Sequence, residues 1–380
     1  MSEIRVDTIS EKTSGSGTTV SNLKNPNQPF RNLLANGDMA IAQRGTSFSL
    51  TNGNSQFPVD RFKIFTEGSF AYTVSQSTDV PTGKGFSKSL KVDVTTGNAS
   101  PNSASQTILQ TNLEGQMLQH LCKGTSDAKK LTLSFYVKCT ATGNLQVNLR
   151  DLDNGRIIAN TFTINSADTW EFKTITFAGD TSGALDNDNA SSLRLGFMLG
   201  TGTDYKGGAV PTSWEAFSNT DKNAGDTLNF SSSASNDFFI TGVQLEVGET
   251  ATDFEHLPHD VQLQRCQRYC AVLGGTHETT ATFGTIGVGY VTASTQAFIT
   301  YQHIVPMRGL PSETTSADSH FCLADSVGSV VACTGIAINQ AGSDRTLFLA
   351  TTAGSLTAAR PTTLLANNNA SATLTLDAEL

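Results

Sequence analysis

The sequence predicts an all-β protein in four parts: an extended N-terminal arm, a jelly-roll β-sandwich, a short helical neck and a smaller C-terminal β-sandwich. Three observations predict it. Hydrophobic residues make up only 38% of the chain, and 33 glycines break the apolar runs into short pieces, the texture of chains built from strands and turns. Between residues 30 and 254 these pieces alternate apolar with polar side chains, the period of two that strand geometry imposes. At 380 residues the chain also exceeds what one hydrophobic core usually supports, so more than one domain is expected.

Residues 1–29 are polar, without aromatics, and interrupted by Ser-Gly and Pro. Ile4, Val6 and Ile9 are the apolar positions available to short strands, too few for a core, so this segment reads as an anchor that orders against another body. Residues 30–254 carry LTLSFYVKC (131–139), EFKTITF (171–177), SLRLGFMLG (192–200) and DFFITGVQLEV (237–247). In the last, Phe239, Thr241, Val243, Leu245 and Val247 share one face. The DNG at 153–155 suits a tight hairpin turn. About eight such strands fit two packed antiparallel sheets of jelly-roll type.

Residues 255–275 change period. In HDVQLQRCQRYCAVL, Leu263, Cys266, Cys270 and Leu273 are spaced 3, 4 and 3, the seam of an amphipathic helix with Asp260 as N-cap and Gly274-Gly275 as stop. So short a helix must pack on something, either the adjoining domain or the same helix in another subunit, and three copies around one axis would supply the latter. Strand and turn signals resume over residues 276–380, enough for a second β-sandwich.

Charge and composition exclude several functions. There are 25 basic and 34 acidic residues, for a net charge of -9, and no basic stripe that would neutralise a phosphate backbone, so nucleic acid is not an expected partner. MSEIRVDTIS has no apolar signal core and no run of 18 apolar residues occurs, so neither a signal peptide nor membrane insertion is expected. The six cysteines lack any CxxC pair and read as reduced, mostly buried thiols.

Candidate chemistry is sparse. VQLEVGETATDFEH (243–256) concentrates Glu246, Glu249, Asp253 and Glu255, which read as surface acids and a turn closing the domain rather than the paired carboxylates of a glycosidase. His256, His259, Cys266 and Cys270 are zinc-type ligands, but two helical turns separate His259 from Cys266, and a buried helix seam accounts for the cysteines. Asp151, Asp153 and Asn154, with Asp186 and Asp188, offer hard oxygens suited to a structural calcium, the one ion considered. The loop 200–219 holds Asp204, Tyr205, Trp214 and Phe217, aromatics and a carboxylate of the kind that stack on and hydrogen-bond sugars. Trp170 is assigned to the core. No nucleophile elbow, metalloprotease motif or phosphate loop occurs, and no enzyme is expected.

RNLLANGDMAIAQRG (31–45), VDRF (59–62), LSFYVKCTATGNLQVNLRD, TWEFKTITFAGD and ITGVQLEVGETATDFEH running into RCQRY together resemble the carbohydrate-binding-module-like jelly roll of bacteriophage tail fibres. The first twenty residues look like the anchor segment of marine, cyanophage-like fibres, and VPMRGLPS through LTLDAEL is similar to their C-terminal β domain. The resemblance implies a non-enzymatic, homotrimeric virion protein made in the host cytoplasm. It would dock to other virion proteins through residues 1–29 and contact a host surface glycan. A capsid-bound decoration or head fibre remains the alternative. Cys270 departs from the pattern, where an aromatic would be usual.

Overall fold

The computed structural model describes residues 30–274, 284–325 and 330–380. The expected anchor residues Ile4, Val6 and Ile9 lie outside them. The chain is all-β, and its first unit is a two-sheet sandwich. One sheet runs β1 (Ser47–Leu50), β4 (Ala71–Ser77), β5 (Ser89–Thr96), β13 (Asp237–Val247), β7 (Leu131–Cys139) and β10 (Glu171–Phe177). The facing sheet runs β12 (Glu215–Ala216), β9 (Arg156–Ile164), β8 (Gly143–Asp151), β11 (Ser191–Thr201), β6 (Gln106–Glu114), β3 (Phe62–Glu67) and β2 (Ser55–Val59).

Alternation along each strand builds the core between the sheets. Leu133, Phe135 and Val137 of β7 meet Leu145, Val147 and Leu149 of β8 and Leu193, Leu195 and Phe197 of β11, all at most 1% exposed. Phe135 stands edge-on to Phe162 and Phe197, with ring centroids 5.1 and 5.2 Å away, so one ring from the first sheet is wedged between two from the second.

The segment 30–45 and the end of β13 belong together. Strand β5 pairs only with Asp237–Ile240 of β13, and β13 shifts register between Thr241 and Gln244. Past that bulge the incoming chain becomes the partner: Val243 N–H donates to Gly37 O at 2.8 Å, Leu33 N–H to Leu245 O at 2.9 Å, and Leu245 N–H to Asn32 Oδ1 at 3.1 Å. A side chain at Gly37 would place Cβ 2.1 Å from Val243 O, so only glycine permits this approach. Of the four acids that follow, Glu249 and Asp253 are exposed as their turn-like sequence suggests, but Glu246 and Glu255 are not. Glu246 is buried and accepts from Gln244 Nε2 and from the amide and hydroxyl of Thr252, while buried Glu255 accepts from Asn32 N–H at 3.0 Å.

The helix is shorter than the 3-4-3 spacing predicts. It covers His259–Gln267 (α1), starts after Pro258 and has no side-chain cap at its N-terminus, so Asp260 lies within its first turn. Cys270 and Leu273 belong instead to β14 (Cys270–Gly274), which pairs with β22 (Thr373–Asp377). A short apolar run satisfies helix and strand periods alike, and a partner strand decides between them. Cys266 and Cys270 are 0% exposed within the single chain; Gln262 donates to Asp38 and Arg265 to Asn32 O. The expected trimer seam of Leu263, Cys266, Cys270 and Leu273 is therefore not a free stripe: its cysteines are spent inside the chain, and Leu273 packs on the second core.

That second unit closes further than a sandwich. Strands β15 (Thr285–Ala293), β16 (Gln296–Gln302), β20 (Arg345–Thr352), β19 (Val330–Ala341), β18 (Phe321–Asp325) and β21 (Pro361–Ala366) form a closed barrel, beside a three-stranded sheet of β14, β22 and β17 (Ser312–Thr315). Ile299, Phe321, Leu323, Phe348 and Leu364 fill its core. Closure leaves the barrel no exposed edge. Among the described residues no helix is long and apolar enough to cross a membrane.

The two units are bolted together by charge. Glu114, at the end of β6 and 0% exposed, accepts from Arg268 Nε at 2.7 Å and Nη2 at 2.6 Å and from the Tyr269 hydroxyl. Arg61 reaches Glu379 and lies 3.4 Å above the Tyr269 ring. Arg44 pairs with Asp377 at 2.9 Å.

Candidate functional site

The outward side of the first sheet carries an aromatic strip. On β7 the residues facing away from the core are Thr132, Ser134, Tyr136 and Lys138; on β10, Phe172 stands in register with Tyr136, their centroids 4.9 Å apart. Tyr136 then meets Phe86 at 5.6 Å, and Phe86 meets Phe254 at 5.1 Å and His256 at 5.2 Å. Five rings thus run across the sheet, none of them in the core. Phe172 is 50% exposed. The far end of the Phe86 ring rests on Gly242, at φ +62°; a Cβ there would come 2.6 Å from the ring, so glycine at the β13 bulge makes the seat.

Polar groups border the strip. Asp79 accepts from Trp170 Nε1 at 3.0 Å and from Lys138. Partial burial would raise its carboxyl, but the hydrogen bonds from Lys138 and Trp170 prevail and hold it below the usual carboxylate range. Lys138 Nζ also lies 4.5 Å above the Phe239 ring, and Trp170 stacks edge-on against Phe239. Trp170 is accordingly a half-buried part of this outer surface and not a core residue.

The loop expected to bind sugar is placed differently. Tyr205 is buried. Trp214 is half-buried against the sandwich core, its indole N–H donating to Ala178 O at 2.7 Å. Phe217 lies under the Arg150 guanidinium at 3.6 Å, and exposed Asp204 accepts from Ser103. These side chains close over the sandwich; Asp204, Tyr205, Trp214 and Phe217 do not form one exposed stacking platform.

Of the expected calcium ligands only Asp151 meets a cation, and that cation is an ammonium. Lys123 Nζ contacts Asp151 Oδ2, Asp180 Oδ2 at 3.1 Å, Ser182 O at 3.0 Å and Gly183 O at 2.8 Å. Asn154 donates its backbone and side-chain N–H groups to Asp151. Asp153 accepts from the Asp186 amide, and Asp188 from the Ala190 amide. Asp180 also takes both arms of Arg156, at 2.7 and 3.1 Å, and these donors outweigh burial to keep its carboxyl low. Lys123 thus supplies the positive charge for the Asp151 and Asp180 carboxylates. Among the described residues no three His, Cys, Asp or Glu side chains gather as a metal set; His256 is part of the aromatic strip, apart from the cysteines.

The strip was missed because its rings come from four separate segments. A signal existed on two of them: Tyr136 and Phe172 occupy the otherwise Thr, Ser and Lys rows of their strands, where a large ring has no core to fill.

No family model matches the sequence, and neither does any curated protein. Among solved structures the chain is similar to the enzymatically active domain of tailspike protein 4 of bacteriophage CBA120, at 14% identity over 58% of this chain and 22% of that one, with a TM-score of 0.32. It is also similar to TmCBM61, solved with β-1,4-galactotriose (8% identity, 57% and 99% coverage, TM-score 0.30). A third is a family 11 carbohydrate-binding module from Clostridium thermocellum (13%, 56% and 99%, TM-score 0.27). At such scores the fold rests on the strand topology itself.

Proposed function

We propose that the protein is a non-enzymatic phage virion fibre component that contacts host surface glycans through the aromatic strip. The observation that carries this reading is the run from Phe172 through Tyr136 and Phe86 to Phe254 and His256, outside the core and edged by Asp79 and Lys138. Ring faces stack on the C–H faces of pyranoses, and bordering charged groups hold hydroxyls. A row of rings suits an extended saccharide better than a single sugar.

Absence of catalysis is part of the reading. A glycosidase needs a carboxylic acid of raised pKa opening onto a cleft. Burial does push the Asp60 carboxyl up, against Arg44, but Asp60 is wholly inside and bonded to Gln43. The test of binding is a glycan array and host-cell adsorption with Phe172→Ala/Tyr136→Ala. Loss of two contact rings is expected to weaken binding at least about tenfold, with an unchanged melting temperature because neither ring is in the core. Unchanged adsorption would sink the assignment.

Virion attachment through residues 1–29 and a trimeric state complete the proposal, on the strength of the sequence resemblance. The α1 seam is no longer available to hold three copies. On the barrel, Val288 and Tyr290 of β15 are 62% and 54% exposed, an apolar face of the kind a neighbouring copy covers. Native mass spectrometry is expected to give three chains, and Val288→Asp to give fewer; a monomeric wild type would remove this part.

A further inference from the structure

The opposite sheet presents a second surface with different chemistry. Arg150 of β8 and Arg194 of β11 are direct cross-strand partners, and both point away from the core, since Leu149 and Leu195 beside them point in. Like charges placed directly opposite are unfavourable. Lys222 joins them on the lip of the same depression, whose walls are Phe217, Met198 and Ile108. No carboxylate lines it.

Each cation is positioned rather than merely tolerated. The Arg150 guanidinium lies 3.6 Å above Phe217, and its buried Nε–H has no hydrogen-bond acceptor. Arg194 Nε donates to Asn112 Oδ1 at 3.0 Å, leaving the rest of its fork toward the depression. Lys222 donates to Gln106 at 2.6 Å and sits 4.5 Å above the Tyr205 ring. Its backbone carbonyl is tied to the sheet by Asn148 and Gln146 side-chain amides at 2.8 and 3.0 Å. A buried donor with no acceptor, and three cations with Glu67 as the opposing charge on Lys222 but no carboxylate among the described residues lining the depression, are costs to the folded chain unless something anionic binds.

We propose that this depression is an anion subsite that takes the carboxylate or sulfate group of an acidic saccharide, gripped by Arg150, Arg194 and Lys222. The cavity holds about 30 Å³, room for a pair of water-sized oxygens. That fits the head of an oxyanion and excludes a pyranose ring, so the sugar must lie on the surface above and insert only its acidic group. Guanidinium forks match planar carboxylates and sulfate edges, and the apolar walls strengthen the pairing by excluding water. The glycan half of this proposal rests on the function proposed above; the anion half rests on the three cations alone.

The pH dependence follows from Lys222. Burial, then the charges of Arg150 and Arg194, lower its ammonium to about 8, with Glu67 opposing. Tyr205 beneath it stays neutral in this range, since burial raises its hydroxyl. The ammonium is therefore present below about pH 8 and lost above it, and anion affinity is expected to fall across that boundary.

Calorimetric titration and thermal shift would use oligogalacturonate and a sulfated oligogalactan, each beside its uncharged counterpart, with sodium sulfate as a separate arm at matched ionic strength. The expected result is that a charged oligosaccharide binds at least about tenfold tighter than its neutral twin, and that Arg150→Gln or Arg194→Gln removes the preference. Because each substitution relieves like-charge repulsion, neither is expected to lower the melting temperature of the free protein. Equal binding of charged and neutral members, or a preference that survives both substitutions, overturns the subsite while leaving the aromatic strip standing. Stabilisation by sulfate alone, lost in Arg150→Gln, with no saccharide bound, keeps the anion site and overturns its assignment to glycan. No response to any charged probe overturns both halves.

Discussion

Glu114→Ala is expected to split the unfolding of this protein into two transitions and to destabilise the sandwich by about 3–5 kcal/mol, the usual cost of stranding the partner of a buried ion pair. The expectation comes from where Glu114 sits. It ends β6 of the sandwich, is wholly buried, and receives both arms of Arg268 and the hydroxyl of Tyr269 from the chain entering the second unit. Removing the carboxylate leaves Arg268 charged at a half-buried position and Tyr269, whose hydroxyl burial already pushes up to about 12, without its acceptor. Glu114→Gln keeps the acceptor oxygen but loses the charge, and a smaller effect is expected. Scanning calorimetry reads both variants. One cooperative transition at the wild-type temperature in Glu114→Ala would show that the clamp contributes nothing.

The same pair sets a pH window. Burial would raise the Glu114 carboxyl, but hydrogen bonds from Arg268, Tyr269 and Gln116 prevail and hold it below the usual value. In the unfolded chain a glutamate titrates near about 4.3. A carboxylate depressed on folding adds stability that is present above that unfolded value and is lost as pH falls through the folded one. Acid should therefore weaken the joint between the units as pH falls below the unfolded value of about 4.3.

Strand alternation made the sandwich legible. LTLSFYVKC and DFFITGVQLEV became the central strands β7 and β13, and VQLEVGETATDFEH runs from the end of β13 toward α1. What sequence could not supply is what pairs with what. The 3-4-3 spacing of Leu263, Cys266, Cys270 and Leu273 is satisfied by a helix on paper, yet Cys270–Gly274 finds β22, more than 100 residues downstream, and becomes a strand. Closure of β15, β16, β18, β19, β20 and β21 into a barrel likewise depends on β15 meeting β21, a pairing of residues 285–290 with 361–365 that no local pattern encodes. Where the candidate site residues lie has a related cause. Sequence neighbours Tyr205, Trp214 and Phe217 look like a binding loop, but folding sends each under a different cation, Lys222, Lys123 and Arg150. Of the acids of 151–154 and 186–188, Asp151 meets Lys123, delivered from another segment, while Asp153 and Asp188 accept from the separate backbone amides of Asp186 and Ala190.

Phe135→Ala is expected to cost about 3–5 kcal/mol, the range for emptying a large buried aromatic site. Phe135 is the ring from the first sheet that enters between Phe162 and Phe197 of the second, at 0% exposure. Those two rings already meet edge-on at 6.2 Å, so filling the space would require moving one sheet toward the other, and most of the cavity should persist. For a unit of this size, each kcal/mol shifts melting by about 2–4 °C, a drop of roughly 6–20 °C. The informative comparison is with the clamp. In the wild-type background, loss of the sandwich should carry the barrel with it, because Arg268 and Tyr269 lose Glu114 when β6 melts. In the Glu114→Ala background the barrel transition should stay where it is while the sandwich transition falls. The barrel has a closed sheet and a core of its own, Phe321, Phe348 and Leu364 among it, so its survival depends on the joint and not on the fold it is joined to. A barrel transition that moves with Phe135→Ala even without Glu114 would mean the units are coupled by Arg44, Arg61 and the chain's last residues instead.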